Sequence, residues 1–343
     1  MQITAVGLDV AKQGFQVHGI DAHGKVVVRK QLRRKEVVEY FTKLPSCEIG
    51  MEAGSSSHYW ARRLQGLGHR VKLMAPQFVR PYVKTNKNDA RDAEAICEAV
   101  TRPTMRFVPI KTVEQQAILS LHRARQGFVK ARTAQANQLR SLLAEFGLVL
   151  PQGIPVLLRE VPAIVGDEEN GLLESVRALF TRLLGHVKEL DRHVREVEQQ
   201  ITHWHKSNEQ SRKLEKVPGI GPITASALVA TIGNAKAFQH GRQLAAWLGL
   251  VPRQHSSGGK TRLHGISKRG DIYLRTLLIH GARSVLRVAA RHTDPTTTWL
   301  THLQRRRNTN IAAVALANKH ARIGWALLAH DREYKPAYTV TSS

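Results

Sequence analysis

Four acidic residues stand out by where they fall. Asp9 ends an apolar, strand-like run in Gly7-Leu8-Asp9-Val10-Ala11-Lys12, and Glu52 ends a later one in Glu52-Ala53-Gly54. Asp89 and Asp92 follow in Asn86-Lys87-Asn88-Asp89-Ala90-Arg91-Asp92, three apart and therefore on one face of a helix. Carboxylates crowded together raise one another's pKa, and a hard divalent cation resolves that repulsion. Magnesium or manganese held among them would polarise a phosphoryl oxygen, lower a nucleophile's pKa and stabilise a leaving oxygen. Taken singly, each acid reads as a surface or capping residue, so the case rests on their joint placement.

A second constellation is Ser256-Ser257-Gly258-Gly259-Lys260-Thr261, followed by Arg262 and by Ile266-Ser267-Lys268-Arg269-Gly270-Asp271. It reads as a polar, flexible loop between helical stretches. A serine attacks phosphorus only when a base, a metal or cationic neighbours support the developing alkoxide. Arg253, Lys260, Arg262, Lys268 and Arg269 are the cations at hand. The residues alone leave Ser256, Ser257 and Ser267 open as nucleophiles, and a DNA-contacting turn is the plainer reading. Gly259-Lys260-Thr261 imitates the end of a P-loop, but Gln254 stands where the earlier glycine is required, which disfavours nucleotide hydrolysis. A third motif, Val217-Pro218-Gly219-Ile220-Gly221, has the spacing of a helix-hairpin-helix element. Gly219 and Gly221 allow a tight turn whose amides, with the next helix N-terminus, hold a phosphate. The alternative is a plain packing corner between two helices.

The elements that must position these groups are legible from periodicity. Residues 5–10, 14–20 and 25–30 are β-rich, and Asp21-Ala22-His23-Gly24 is a strong turn signal, which predicts an antiparallel meander. A helix near 36–44, a strand at 48–52, a helix near 58–67, a strand at 71–73 and a helix at 89–100 complete the order βββαβαβα. That is the order of a ribonuclease-H-like domain, in which the first and fourth strands are neighbours and bring the four carboxylates together. Residues 113–146 predict one long helix bearing Arg123, Arg125, Lys130, Arg132 and Arg140, ended by Pro151 and Gly153. Leu173, Val176, Phe180, Leu183, Val187, Leu190, Val194, Val197, Ile201 and Trp204 recur in steps of three and four, a heptad stripe. It predicts a coiled-coil arm that pairs with the first long helix, with another protomer, or with both. The fold class expected is thus α/β plus α: a ribonuclease-H-like domain, a helical arm and a mostly helical C-terminal domain.

Composition narrows the function. The 343 residues carry 52 Lys+Arg against 27 Asp+Glu, a net charge of +25, which points to a polyanionic partner rather than to an ordinary metabolite. From 217 to 330 the acids are Asp271 and Asp294 alone, while basic residues recur, among them Arg305-Arg306-Arg307. This half is the expected nucleic-acid platform. Cys47 and Cys97 are the only cysteines, which excludes a disulfide framework and a cysteine-built zinc site. The opening residues lack the layout of a signal peptide and no segment offers about 18 uncharged apolar residues. A cytoplasmic, nucleoid-associated protein with no membrane partner is expected.

Together, residues 7–12, 52–54, 86–92 and 217–221, with Ser257-Gly258 and Ser267-Lys268-Arg269-Gly270-Asp271, resemble the transposases of insertion-sequence family 110. Ala75-Pro76-Gln77-Phe78-Val79-Arg80-Pro81-Tyr82 resembles the 1111 subgroup, and the similarity runs in order from residue 1 to about 330. The resemblance implies a RuvC-like domain with a DEDD set carried onto Asp9, Glu52, Asp89 and Asp92, binding Mg²⁺ (or Mn²⁺). It also implies a transposase domain whose nucleophilic serine maps onto Ser257, the one followed by glycine. Such enzymes recombine donor and target DNA under a non-coding bridge RNA and work as homo-oligomers, dimers or tetramers, whose active centres combine groups from different protomers. The boundaries expected are 1–105 for the DEDD domain, 106–212 for the coiled-coil region, 213–335 for the transposase domain and 336–343 for a tail. Lys12, Lys87, Arg123, Lys130, Arg132, Gly219, Gly221, Arg253, Lys260, Arg262, Lys268 and Arg269 are the expected nucleic-acid contacts. Two further readings use the same residues: a Holliday-junction-type nuclease with water as nucleophile, and a non-catalytic nucleic-acid organiser.

Overall fold

A computed structural model describes residues 2–84 and 89–336. The chain divides into two compact units, one running to Val113 and the other starting at Glu114.

In the first unit, β1 (Ala5–Val10), β2 (Gly14–Ile20) and β3 (Val26–Arg33) form the expected antiparallel meander. Its predicted turn is built by Asp21, whose Oδ1 accepts from the amides of His23 and Lys25 at 2.9 Å each. After α1 (Val37–Thr42), β4 (Glu48–Glu52) lies parallel to β1, and after α2 (Ser57–Gln65), β5 (Arg70–Met74) lies parallel to β4. The short α3 (Pro76–Val79), then α4 (Asp89–Val100) and a two-residue β6 (Phe107–Val108) follow, and the sheet order is β3-β2-β1-β4-β5-β6. This mixed sheet is consistent with a ribonuclease-H-like domain. The strand at β6 was not expected.

Each face of the sheet has its own packing. Leu8, Phe15, Ile49, Met51 and Leu73 point to the side covered by Phe41, Trp60 and Leu64 of α1 and α2. On the opposite face α4 packs through Ala95, Ile96, Ala99 and Val100. There β1 and β4 present a pair of glycines, Gly7 and Gly50, directly opposite each other in register. A Cβ on Gly7 would lie 2.0 Å from the Ala93 carbonyl oxygen and 2.4 Å from the Cys97 amide nitrogen, and one on Gly50 would lie 2.7 Å from Val100 Cβ. The helix backbone therefore rests on the sheet backbone. Cys47 and Cys97 are both free and buried, and burial pushes each thiol up to about 11.

The second unit begins with α5 (Val113–Glu145), α6 (Ile154–Gly166) and α7 (Glu174–Ser207). The heptad stripe on α7 is buried at Phe180, Val187, Leu190, Val194, Val197 and Ile201, while Leu183 of the stripe is half-buried and its neighbour Leu184 is the buried residue. Of the partners the sequence allowed, it meets the first long helix of the same chain. The two helices run antiparallel: Trp204 donates to Glu114 at 2.6 Å, Arg125 pairs with Glu198 at 2.6 Å, Phe128 stacks on His193 at 5.1 Å, and Phe146 meets Phe180 at 5.9 Å. Leu173, counted in the stripe, is 70% exposed and precedes the helix as its cap. The helix α6, not expected from sequence, closes one end of the pair through Leu157 and Val161.

Beyond α7 come α8 (Glu209–Glu215), α9 (Pro222–Ile232), α10 (Gly241–Trp247), β7 (Pro252–Ser257), β8 (Lys260–Ile266), α11 (Ile272–Val288), α12 (Pro295–Arg306) and α13 (Thr309–His330). Leu214, Leu228, Leu244, Leu274, Leu278 and Leu316 are among the side chains of one core. The helices of 106–212, expected as a separate region, pack with these into the same unit from Glu114 onward. No helix among the described residues is long and apolar enough to cross a membrane.

A buried polar chain ties α5 to this core. His122 lies 3.0 Å from the Tyr273 hydroxyl through Nδ1 and 3.1 Å from Ser226 Oγ through Nε2, and Ser226 donates to the Pro222 carbonyl at 2.6 Å. With the Ser226 proton so placed, His122 donates from Nε2 and accepts the Tyr273 proton at Nδ1, a neutral tautomer. Burial pulls both His122 and His320 down to about 4.

Two predictions follow from this packing. Gly7→Ala is expected to destabilise the chain by about 1–3 kcal/mol or more, because only backbone can yield. Gly14→Ala, which meets only the flexible Gln31 amide at 3.3 Å, is expected to leave the urea midpoint unchanged. An unshifted midpoint for Gly7→Ala contradicts the close approach. The second prediction concerns pH. Below about pH 6.5 the unfolded chain protonates histidines that the folded chain holds neutral, so stability falls as pH drops toward 4, by roughly 2 kcal/mol per buried histidine between pH 7 and 5. His320→Leu is expected to remove about that much of the pH dependence, and an unchanged dependence contradicts it.

Candidate active site

The approach of α4 to the glycine pair sets the chemistry beside it. Strand residues alternate faces, so Asp9 shares the face of Gly7, and Glu52 that of Gly50. The pairing of the two strands ends at Gly7–Gly50, and Asp9 and Glu52 each lie two residues beyond it on their strand. Ala93 and Cys97 sit on Gly7, and Asp89 and Asp92 belong to the turn of α4 before them, which places both at the Asp9 end of the strand. The result is a group of three: carboxylate oxygens of Asp9, Asp89 and Asp92 lie within 4.8 Å of one another. Glu52 stands at the end of the neighbouring strand, outside that group of three. Asp9 and Asp92 are half-buried and Asp89 is exposed, so the cluster opens to solvent. Three hard oxygen donors at this spacing fit a divalent cation of the magnesium type better than a soft-ligand metal. Lys12, three residues beyond Asp9, is exposed. Lys87 lies outside the described residues.

In the second unit the serine segment departs from expectation. Residues 256–261, read as a loop, lie within a two-stranded antiparallel hairpin that spans 252–266. Gly258 and Gly259 make its two-residue turn with φ of +54° and +75°, the left-handed conformation that such turns demand at both positions. Ser257 ends β7 and pairs with Lys260 across the turn. The structure separates the three serines the sequence left open. The Ser267 hydroxyl is buried without a hydrogen-bond partner, Ser256 accepts from Gln254 at 2.7 Å, and Ser257 is exposed at the hairpin tip. The strand signal missed in the sequence was Gly-Gly between short polar runs, which lack the apolar alternation that normally marks strands.

The glycine turn joins α8 to α9. Gly219 adopts φ +88° and its backbone faces Gly281 of α11, where a Cβ would meet the carbonyl oxygen at 2.7 Å. Gly221 is exposed and caps α9. The turn is thus packed on one side and open at the helix N-terminus.

Among the expected basic contacts, Arg123, Lys130, Arg253, Lys260, Arg262, Lys268 and Arg269 are exposed. Arg132, also expected as a contact, has its guanidinium paired with Asp191 between α5 and α7, with 20% of the side chain exposed. The two acids of 217–330 are both used as helix caps, Asp271 accepting from the Leu274 amide at 2.9 Å and Asp294 from that of Thr296 at 2.9 Å. His255 and His264, not among the expected site residues, meet ring to ring on the hairpin with centroids 5.3 Å apart.

Comparison with known proteins places this arrangement. Residues 6–147 match the family model DEDD_Tnp_IS110, described as a transposase, and residues 211–296 match the model described as transposase IS116/IS110/IS902 family. A probable family 20 transposase of Pseudomonas aeruginosa is 52% identical over 98% of this chain and 100% of its own length. The transposase for insertion sequence element IS1111A of Coxiella burnetii is 43% identical over 97% and 92% of the two chains, and that for IS1328 of Yersinia enterocolitica is 41% identical over 95% and 96%. The DEDD match and the three-carboxylate group agree on the use of a divalent metal. With both models matched and relatives of more than 40% identity aligned over nearly their whole lengths, the chain belongs to the IS116/IS110/IS902 family of transposases, enzymes that recombine DNA.

Proposed function

We propose that this transposase cuts and rejoins DNA through a phosphoserine intermediate, with Ser257 as nucleophile and Asp9, Glu52, Asp89 and Asp92 as the holders of Mg²⁺ (or Mn²⁺). The observation that carries the reading is the convergence of Asp9 with Asp89 and Asp92, at least 80 residues further along the chain, to within 4.8 Å. A cation bound there supplies electrostatic stabilisation to a phosphoryl oxygen. Ser257 projects from an exposed tip that a duplex phosphate can reach. Lys260, directly opposite, supplies positive charge where the phosphorane develops negative charge. In cleavage the bond from Ser257 Oγ to phosphorus forms as the bond from phosphorus to a deoxyribose oxygen breaks. The ester conserves bond energy, and a DNA hydroxyl reverses the step on rejoining.

Binding falls to the basic surface. Lys12, Arg123, Lys130, Arg253, Arg262, Lys268 and Arg269 hold phosphate backbones, and the amides beyond Gly219 and Gly221 add an anion site at the start of α9. The helix-hairpin-helix role rests on this turn geometry. The family resemblance adds a bridge RNA that pairs with donor and target DNA, which leaves base reading to nucleic acid, and an assembly of two or more protomers.

Ser257→Ala is expected to abolish both the covalent protein–DNA adduct and strand exchange while DNA binding stays within about twofold. Asp9→Asn is expected to slow cleavage on the order of a hundredfold or more. Denaturing gels of a reaction with element-end DNA and RNA transcribed from its flank read both. An adduct that persists in Ser257→Ala removes the serine assignment, cleavage without any adduct in the unaltered chain favours water as nucleophile, and full activity in Asp9→Asn removes the metal role. In parallel, Arg253→Ala with Lys268→Ala is expected to reduce the slope of log K against log salt by roughly one per lost contact, equally for all sequences. An unchanged slope places these two side chains off the backbone.

A further inference from the structure

The hairpin that bears the serine gives it defined company. Successive residues of β7 face opposite sides, so Ser257 shares a face with His255 and not with Ser256. Register sets Lys260 opposite Ser257 and Arg262 opposite His255, and directly opposed residues share a face. His264, two residues past Arg262, falls on that face too, its ring edge-on to that of His255 with centroids 5.3 Å apart. The other face carries Gln254, Ser256, Thr261 and Leu263, with the Gln254 amide bonded to Ser256. One side of the hairpin thus gathers a serine, two imidazoles and two cations, and the other gathers neutral groups.

We propose that His255, braced by His264, is the general base for Ser257 in strand cleavage and the general acid in rejoining. The proposal rests on the reading of Ser257 as nucleophile and adds the fate of its proton. Two strand residues span about 6.6 Å, a gap that an imidazole closes directly or through one water. In the forward step the Ser257 hydroxyl proton passes to the neutral His255 ring as the Oγ–P bond forms. The P–O bond to deoxyribose breaks with its electron pair going to that oxygen, which takes a proton from solvent. In the reverse step a DNA hydroxyl attacks phosphorus and gives its proton to solvent, the P–Oγ bond breaks with its electron pair going to Oγ, and the His255 imidazolium returns its proton there. The charged and titratable groups facing His255 are Lys260, Arg262 and His264 on β8 and Arg253 on its own strand. Arg262 and Lys260 hold the attacked phosphate while the neutral ring accepts.

The test is the single-turnover rate of adduct formation by the full chain preassembled with element-end DNA and flank-derived RNA, started with Mg²⁺ and followed from pH 5.5 to 8.5. His255→Ala is expected to slow the adduct about a hundredfold at neutral pH, to lose the fall in rate toward acid, and to recover in part with added imidazole. His255→Lys, which keeps a cation for the phosphate, is expected to be as slow. His264→Ala is expected to be slowed less, with the acid limb retained. A wild-type rate and pH profile in His255→Ala, or a wild-type rate in His255→Lys, overturns the proposal. Ser257→Ala, run beside them, separates the two claims: an adduct there sinks the nucleophile itself, whereas its absence alongside a fast His255→Ala sinks only the base.

Discussion

The structure of the first unit depends on one contact, the seating of α4 on the paired glycines Gly7 and Gly50. Atoms closer than ordinary side-chain packing permits, with Ala93 oxygen 2.0 Å from where a Gly7 Cβ would sit, mean that helix and sheet meet backbone to backbone. That proximity is what brings Asp89 and Asp92 to Asp9. Like charges would drive the three apart, so the packing energy of Ala95, Ile96, Ala99 and Val100 on the sheet must hold them against their repulsion until a cation neutralises it. The acids at the start of α4 also suit the positive end of the helix dipole, which offsets part of that cost.

The second unit solves a different problem, the display of positive charge on a rigid frame. In the helix pair of α5 and α7 the inward basic groups have acidic partners, Arg125 with Glu198 and Arg132 with Asp191. In residues 217–330 both acids are spent on helix N-termini, and the cations of the hairpin and its flank stay exposed. The Tyr273–His122–Ser226 chain, running from the helix after the serine hairpin through α5 to α9, fixes the frame from which that hairpin projects.

Much of the first unit was legible because its signals are local and reinforce one another. The strand over 48–52 and the helix over 89–100 end where the sequence places them, since Glu52-Ala53-Gly54 breaks the strand and an acidic first turn opens the helix. The carboxylates could be brought together on paper because the neighbouring of β1 and β4 follows from the element order. What the sequence hid is equally physical. Helix α6 contains Pro155 and Pro162 and reads as a break, although Pro155 falls in the tolerated first turn. The hairpin of 252–266 is exposed along nearly its whole length, so no buried face imposes an alternating pattern, and its register rests on the Gly258-Gly259 turn. Without that register, His255 and His264 were merely two scattered histidines, and Arg132 was a free cation until Asp191 came into view.

The central claim is that Asp9, Asp89 and Asp92 converge to capture a divalent cation. A crystal of the chain soaked in Mn²⁺ and measured for anomalous scattering tests it most directly. The account predicts a peak bounded by these three carboxylates, at about 2.2 Å from their oxygens, that vanishes in Asp92→Asn. Carboxylates found apart, or close together with no scattering between them at saturating Mn²⁺, would contradict it.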